Sequence, residues 1–213
     1  MPLQAGIVPV TLFQQNCTLI WDDATKRGAV VDPGGDLDRI EAAIAKTGMT
    51  VEKILLTHGH IDHAAGAAEL KEKLGGIPIE GPHEADAFLL DSLVESGLAL
   101  GIEGARNVTP DRWLAEGDTV TVAGASFSIL HCPGHSPGSV AYVNRAQRLA
   151  LVGDVLFRGS IGRTEGLPRT DHDALIRSIK TKLLPLGDDI AFICGHGPTS
   201  TIGDERRSNP FLV

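Results

Sequence analysis

The chain has 213 residues, 42% of them hydrophobic and 22% charged, with a formal net charge of −8 and a pI near 5.4. This is the composition of a globular protein with a buried core, and its acidity argues against nucleic acid or an anionic membrane as the main partner, because both attract basic surfaces. No apolar run reaches the roughly 18 residues of a membrane span, the opening Met1-Pro2-Leu3-Gln4-Ala5-Gly6 lacks the basic and apolar stretches of a signal peptide, and three scattered cysteines, Cys17, Cys132 and Cys194, form no disulfide framework. The expectation is a cytoplasmic protein with reduced thiols; oligomeric state has no signal here.

In chain order, segments 7–10, 18–21 and 29–31 are short, apolar and rich in β-branched residues, which predicts strands. Asp36 is placed as an N-cap, Leu37, Ile40 and Ile44 repeat at helical spacing, and Gly48 supplies a stop, so 37–47 is expected to be an amphipathic helix. A strand at 52–56 leads into a polar turn, followed by a helix from about 63 to 74 that ends at Gly75-Gly76, a short strand at 77–79 and a helix over 83–96 closed by Gly97. The glycine-rich stretch 97–110 is the expected irregular connection, a flap near the site. Strands are predicted at 119–123, 126–131, 139–143 and 148–152, then a helix at 171–183 with Thr170 and Asp173 spaced as a capping box, and a last strand near 189–193. Two runs of strands, each followed by helices, suggest two sheets packed face to face with helices outside, not one doubly wound sheet.

The chemistry concentrates in Leu56-Thr57-His58-Gly59-His60-Ile61-Asp62-His63, directly after the apolar Ile54-Leu55-Leu56. Three histidines and an aspartate within six positions bring four metal-ligand groups onto one turn at a strand end. Further candidates sit the same way, just past a predicted strand and beside a glycine: His135 in Pro133-Gly134-His135, Asp154 after Gly153, His196 after Gly195, and Asp32 before Pro33-Gly34. Strand carboxyl ends are where open sheets build their sites. His131, Cys132 and Cys194 read as structural, and His83 and His172, at helix starts, as solvated.

The H-x-H-x-D-H string, the later histidine in Cys132-Pro133-Gly134-His135-Ser136-Pro137-Gly138, the Gly153-Asp154 step and Gly195-His196-Gly197 together resemble the metallo-β-lactamase superfamily in order and rough spacing. Within it the chain is similar to short glyoxalase II-type (hydroxyacylglutathione) hydrolases, from Gln15-Asn16-Cys17 to Asn209-Pro210-Phe211. The resemblance implies an α/β fold, an αβ/βα four-layer sandwich of two mixed sheets with helices outside, occupying 1–213 as a single domain without the C-terminal helical glutathione-binding domain of full-length glyoxalase II enzymes. It also implies two divalent metal ions per chain, zinc first with iron or manganese as alternatives. His58, His60 and His135 would hold one ion, Asp62, His63 and His196 the other, and Asp154 would bridge them; Asp32 would orient a ligand histidine or a loop without binding metal.

Two such ions can generate hydroxide at neutral pH and polarise the carbonyl it attacks, with Asp62 and Asp154 as the carboxylates of the reaction. The implied substrate is a small thioester such as S-lactoylglutathione. Many relatives carry a Gly-Arg-Ser-Asp-type segment after the bridging aspartate; this chain has Gly162-Arg163-Thr164-Glu165, and Arg163 is the candidate contact for a glutathione carboxylate. Competing readings are a persulfide dioxygenase with one iron on His58, His135 and Asp154, and an acyl-homoserine lactone lactonase.

Overall fold

A computed structural model describes residues 3–213. Strands β1 (Leu3–Val10), β2 (Gln15–Asp22) and β3 (Arg27–Val31) run antiparallel, and β4 (Thr50–Leu55) and β5 (Ile79–Glu80) continue the sheet in parallel, in the order β1-β2-β3-β4-β5. Parallel neighbours need crossovers, supplied by helix α1 (Leu37–Thr47) and by α2 (Ile61–Ala64) with α3 (Ala67–Lys73). Helices α4 (Ala87–Leu90) and α5 (Leu93–Leu100) lead to the second sheet. There β6 (Thr119–Val122), β7 (Ala125–His131), β8 (Val140–Asn144) and β9 (Leu149–Gly153) form an antiparallel meander. A small hairpin of β10 (Leu156–Phe157) and β11 (Ser160–Ile161) and helix α6 (His172–Ser178) precede β12 (Ala191–Cys194), which returns parallel to β9; β13 (Ser200–Thr201) and α7 (Ile202–Ser208) complete the chain.

Strand alternation builds the layers. In β2, Leu19 faces the first helical layer and Ile20 the opposite sheet; in β3, Val30 and Val31 divide the same way. In the second sheet, Tyr142, Leu151 and Ile193 point to the sandwich interior, whereas Ala141, Val152 and Phe192 pack under α6 with Leu175, Ile179 and Leu183. Strands covered on both faces need apolar residues at successive positions, which is why β2 and β8 are buried almost throughout. The result is the expected four-layer arrangement of two mixed sheets with helices outside.

Several local expectations need correction. Asp36 precedes α1, but its side chain makes no cap contact with that helix and instead accepts from Thr11 N at 2.8 Å, its backbone in the left-handed region at φ 48°. The helix expected over 63–74 breaks at residues 65–66, where Gly66 N donates to Pro33 O and an added Cβ would lie 2.6 Å from that oxygen. The helix expected over 83–96 is a short 3-10 turn, Glu84–Asp86, followed by α4 and α5; Gly97 lies inside α5, closely packed on Ala105, and Gly101 at φ 69° closes it.

Residues 97–110 are therefore partly helical, and Val108 is buried with its N–H on Leu90 O, so the stretch is stapled to the helical layer instead of forming a free flap. At α6 the cap is Asp171, accepting from Ala174 N, while the Thr170 hydroxyl donates to Thr164 O, one residue out of the expected register. The β10–β11 hairpin, β13 and α7 are too short for periodicity to reveal. Among the described residues no helix is long and apolar enough to cross a membrane.

Tyr142 links the sandwich interior to the site. It is fully buried, and its hydroxyl donates to Leu56 O at 2.8 Å, with Glu80 O at 3.3 Å, holding the end of β4 from the opposite sheet. Tyr142→Phe leaves the Leu56 carbonyl without that donor, and a buried orphaned acceptor costs about 1–3 kcal/mol. Urea unfolding should show a loss of that size with an unchanged slope; full stability would mean that the tie contributes nothing.

Candidate metal centre

Leu56 ends the apolar run of β4, and the chain turns sharply through Thr57, His58, Gly59 and His60 before α2 begins. Asp62 and His63 occupy the first turn of that helix, His135 lies in the loop between β7 and β8, Asp154 follows β9, and His196 follows β12. All seven side chains meet at one edge of the sandwich. His58, His60 and His135 form one group and Asp62, His63 and His196 another, with the candidate ligand atoms of each group mutually within 4.8 Å.

Asp154 stands between the groups. Its Oδ1 is 3.4 Å from His63 Nε2, and its Oδ2 is 3.5 Å from the Nε2 atoms of both His135 and His196. His196 Nε2 is also 3.2 Å from Asp62 Oδ2, and His60 Nδ1 is 2.9 Å from His135 Nε2. Such close packing requires Gly195, since a Cβ there would fall 1.9 Å from Asp154 Oδ1.

Each of four imidazoles is oriented by a contact on its outer nitrogen. His58 Nδ1 meets Thr57 Oγ1 at 3.0 Å, His63 Nδ1 meets Asp32 Oδ2 at 2.9 Å, His135 Nδ1 meets the Arg163 carbonyl at 2.8 Å, and His196 Nδ1 meets the Phe13 carbonyl at 3.1 Å. A proton on Nδ1 leaves the Nε2 lone pair facing inward, the tautomer a metal ligand needs. Within the cluster the buried Nε2 atoms of His58 and His63 and Oδ1 of Asp154 have no hydrogen-bond partner. Buried polar atoms in native proteins are almost always satisfied. Five imidazoles and two carboxylates with inward orphans therefore fit divalent cations of the zinc, iron and manganese type.

Asp32, although within reach of His58 and His63, has its oxygens engaged by Thr57 N at 2.7 Å, Thr57 Oγ1 at 2.6 Å and His63 Nδ1. It orients the histidine turn. Arg163 contributes through its backbone, which holds His135; its guanidinium is exposed and its Nε donates to the Glu165 carbonyl at 2.7 Å. His83 departs from the expectation of a solvated side chain: it is half-buried, accepts from Ala85 N and stacks on His131 at 4.0 Å, whose Nε2 is bonded to Pro137 O. His172 is exposed, with Nδ1 3.2 Å from Thr164 Oγ1.

Residue patterns do not point to Asn16, Thr57 or Asp86. Asn16 Nδ2 donates to Cys194 O and Gly197 O, at 3.0 and 2.8 Å, and its backbone N–H to Gly195 O, so it grips the loop bearing His196 from β2. The buried Asp86 carboxylate accepts from Gly59 N, Ser136 Oγ and Gly138 N. An asparagine in a strand or an aspartate in a helical turn has no signature of its own; the only hint lay in the glycines around His58 and His135.

The charges balance by proximity. Burial pushes His58 well below the usual imidazole range and His60 down to about 3. Burial opposes charge at His63 too, but Asp154, Asp62 and Asp32 outweigh it and raise His63 well above its ordinary value. His196 rises to about 9 for the same reason, burial being outweighed by Asp154 and Asp62. Asp154 and Asp62, despite burial, are held below the usual carboxylate range by His63 and His196.

The description Metallo-beta-lactamase superfamily belongs to the family model that matches residues 10–196. The chain is 49% identical over 207 residues to the hydroxyacylglutathione hydrolase GloC of Haemophilus influenzae, covering 97% of this chain and 96% of that one. Among solved structures it is similar to the BLEG-1 B3 metallo-beta-lactamase, with a TM-score of 0.89 at 35% identity over 98% of this chain and 99% of that chain. It is likewise similar to TTHA1623 in a di-iron-bound form, with a TM-score of 0.85 at 36% identity over 97% and 100% of the two chains.

Without metal, the chain should be most stable near pH 6.5. Below that value unfolded histidines take up protons that buried His58 and His60 refuse, so stability falls as pH drops. Above it, the stability that raised His63 and His196 contribute, fully present below the unfolded value, is lost as pH climbs through about 9 for His196. Thermal unfolding of chelator-treated protein from pH 5 to 9.5 tests this. A melting temperature rising steadily to pH 9.5 contradicts it.

Proposed function

Because the chain belongs to the metallo-beta-lactamase superfamily, we propose that this metallohydrolase cleaves a thioester such as S-lactoylglutathione into a hydroxy acid and a thiol. The observation that supports the reading is the convergence of five imidazoles and two carboxylates with unpartnered inward atoms, in a chain closely related over its length to a hydroxyacylglutathione hydrolase. In this reading His58, His60 and His135 would hold one divalent cation, Asp62, His63 and His196 would hold a second, and Asp154 would serve both. Zinc suits the imidazole-rich donors; iron, present in a di-iron relative, and manganese are the competitors.

Bound cations supply Lewis acidity toward an acyl carbonyl and acidify coordinated water. The chain's own groups orient and receive. Outer contacts from Thr57, Asp32, Arg163 and Phe13 keep the rings aimed inward, and Asp62 and Asp154, held ionised by His63 and His196, are the carboxylates assigned to the reaction, where they would bind and orient the attacking water by accepting its hydrogen bonds. No side-chain nucleophile is needed: the nearby Cys194 Sγ is engaged by His196 O, and burial pushes its thiol up to about 11. The exposed Arg163 guanidinium, with donors beyond its Nε bond, is assigned to a substrate carboxylate.

Each half of the chain supplies ligands to one site across a shared apolar interface, which supports treating residues 1–213 as one domain. Three buried, unpaired cysteines support a reducing compartment, the cytoplasm.

The test is a metal count per chain beside steady-state kinetics on S-lactoylglutathione and oxygen uptake with glutathione persulfide. Two metals and thioester turnover are expected; rapid oxygen consumption without thioester turnover would transfer the function to a dioxygenase. Asp154→Ala removes a ligand from both groups, so activity should fall by roughly 100-fold or more, beyond the loss typical of outer partners. Near-normal activity and metal content in that variant would sink the bridging assignment.

A further inference from the structure

Asp86 stands outside the seven clustered side chains, yet it ties together the two loops that carry His58, His60 and His135. It ends the 3-10 turn Glu84–Asp86 and is completely buried. Its Oδ2 accepts from Gly59 N at 2.8 Å, between His58 and His60, and from Ser136 Oγ at 2.7 Å, next to His135; its Oδ1 accepts from Gly138 N at 2.5 Å. The same turn is tied to the second loop again through His83 N, which donates to Gly138 O at 3.1 Å.

The neighbouring glycines are complementary to this carboxylate. A Cβ at Gly138 would lie 2.5 Å from Asp86 Cγ, and one at Gly59 would lie 3.3 Å from Asp86 Cβ and 2.9 Å from Leu89 Cβ. Both glycines allow a backbone N–H to reach Asp86 at contact distance. All three partners are neutral, and among the described residues Asp86 has no lysine or arginine ion-pair partner. A buried charge left without a counter-charge is costly, and in folded proteins such charges are paired or serve metal sites.

We infer that Asp86 is the positioning residue of the three-histidine group: one buried carboxylate sets the spacing of the His58–His60 turn and the His135 loop and supplies negative charge beside the cation that this group would hold. The inference rests on the metal reading above. Asparagine cannot replace the carboxylate, because its NH₂ would face a backbone N–H of either Gly59 or Gly138.

Cobalt(II) titration of the metal-free protein, followed by visible absorption, tests it, with His58→Ala marking the spectral component of the three-histidine group. Asp86→Asn should weaken that component by roughly 10–100-fold, as outer partners of metal ligands do, and leave the other component unchanged. Ser136→Ala, which removes one hydroxyl donor, should shift the same component by several-fold in the same direction, and it carries the test alone if Asp86→Asn does not fold. Wild-type cobalt affinity and spectrum in the folded variants would overturn the inference while leaving the metal reading intact, and equal weakening of both components would overturn a selective role. A wild-type chain that takes up no cobalt would overturn the metal reading and the inference with it.

Discussion

The Asp154 carboxylate, with one oxygen toward His63 and the other toward His135 and His196, is the contact on which the site depends. It is a buried anion in a pocket of imidazoles, and it pulls His58, His60, His63 and His196 toward the charged form against burial. His63 and His196, facing it together with Asp62, favour protons or a cation; at His58 and His60 burial and the neighbouring imidazoles outweigh that pull and favour neutrality. The three-imidazole group and the group that contains the Asp62 carboxylate are thus electrostatically unlike. A cation entering the site meets rings already aimed at it, because the outer nitrogens of His58, His63, His135 and His196 are committed to Thr57, Asp32, Arg163 and Phe13, and at His63 and His196 it takes the place of a proton.

That arrangement needs the four layers. A sheet buried on both faces presents little besides its strand ends for chemistry, and here the ends of β4, β9 and β12 open on the same edge. The apolar interface holds those ends in fixed register, and polar ties cross it where the site demands precision. Tyr142 reaches from β8 to the end of β4, and Asn16 reaches from β2 to the loop after β12. Backbone groups that would otherwise be orphaned at the sheet edge become the means of aiming side chains.

The layered architecture was legible because strands with two apolar faces and helices with one produce different periods along the chain. The clustered side chains were legible because His58 and His60 flank Gly59 after an apolar run, His135, Asp154 and His196 each lie beside a glycine past a strand, and Asp62 and His63 complete the same H-x-H-x-D-H string. What escaped the sequence is contact information. Asp171 instead of Thr170 caps α6, where its backbone N–H is also held by the Gly134 carbonyl, and Gly97 packs against Ala105 instead of ending a helix, since both outcomes depend on contacts outside the helix itself. Arg163 shows the same limit: its side chain drew notice for its charge, whereas its carbonyl orients His135. Asn16 works through backbone carbonyls, and Asp86 through two backbone N–H groups and the Ser136 hydroxyl, contacts that no residue pattern encodes.

The grip of Asn16 on Gly197 spans 181 positions, and β12 enters its sheet only by pairing with β9 from the far side of α6. Contacts so distant in sequence form late, because the entropy of closing long loops must be met before they stabilise anything. The group containing His196 therefore cannot assemble on a growing chain until β12 and the loop after it have been made. His58 and His60 come together within one turn far earlier in synthesis and then wait for the later loops. The order in which the chain emerges thus sets the order in which its ligand groups become complete.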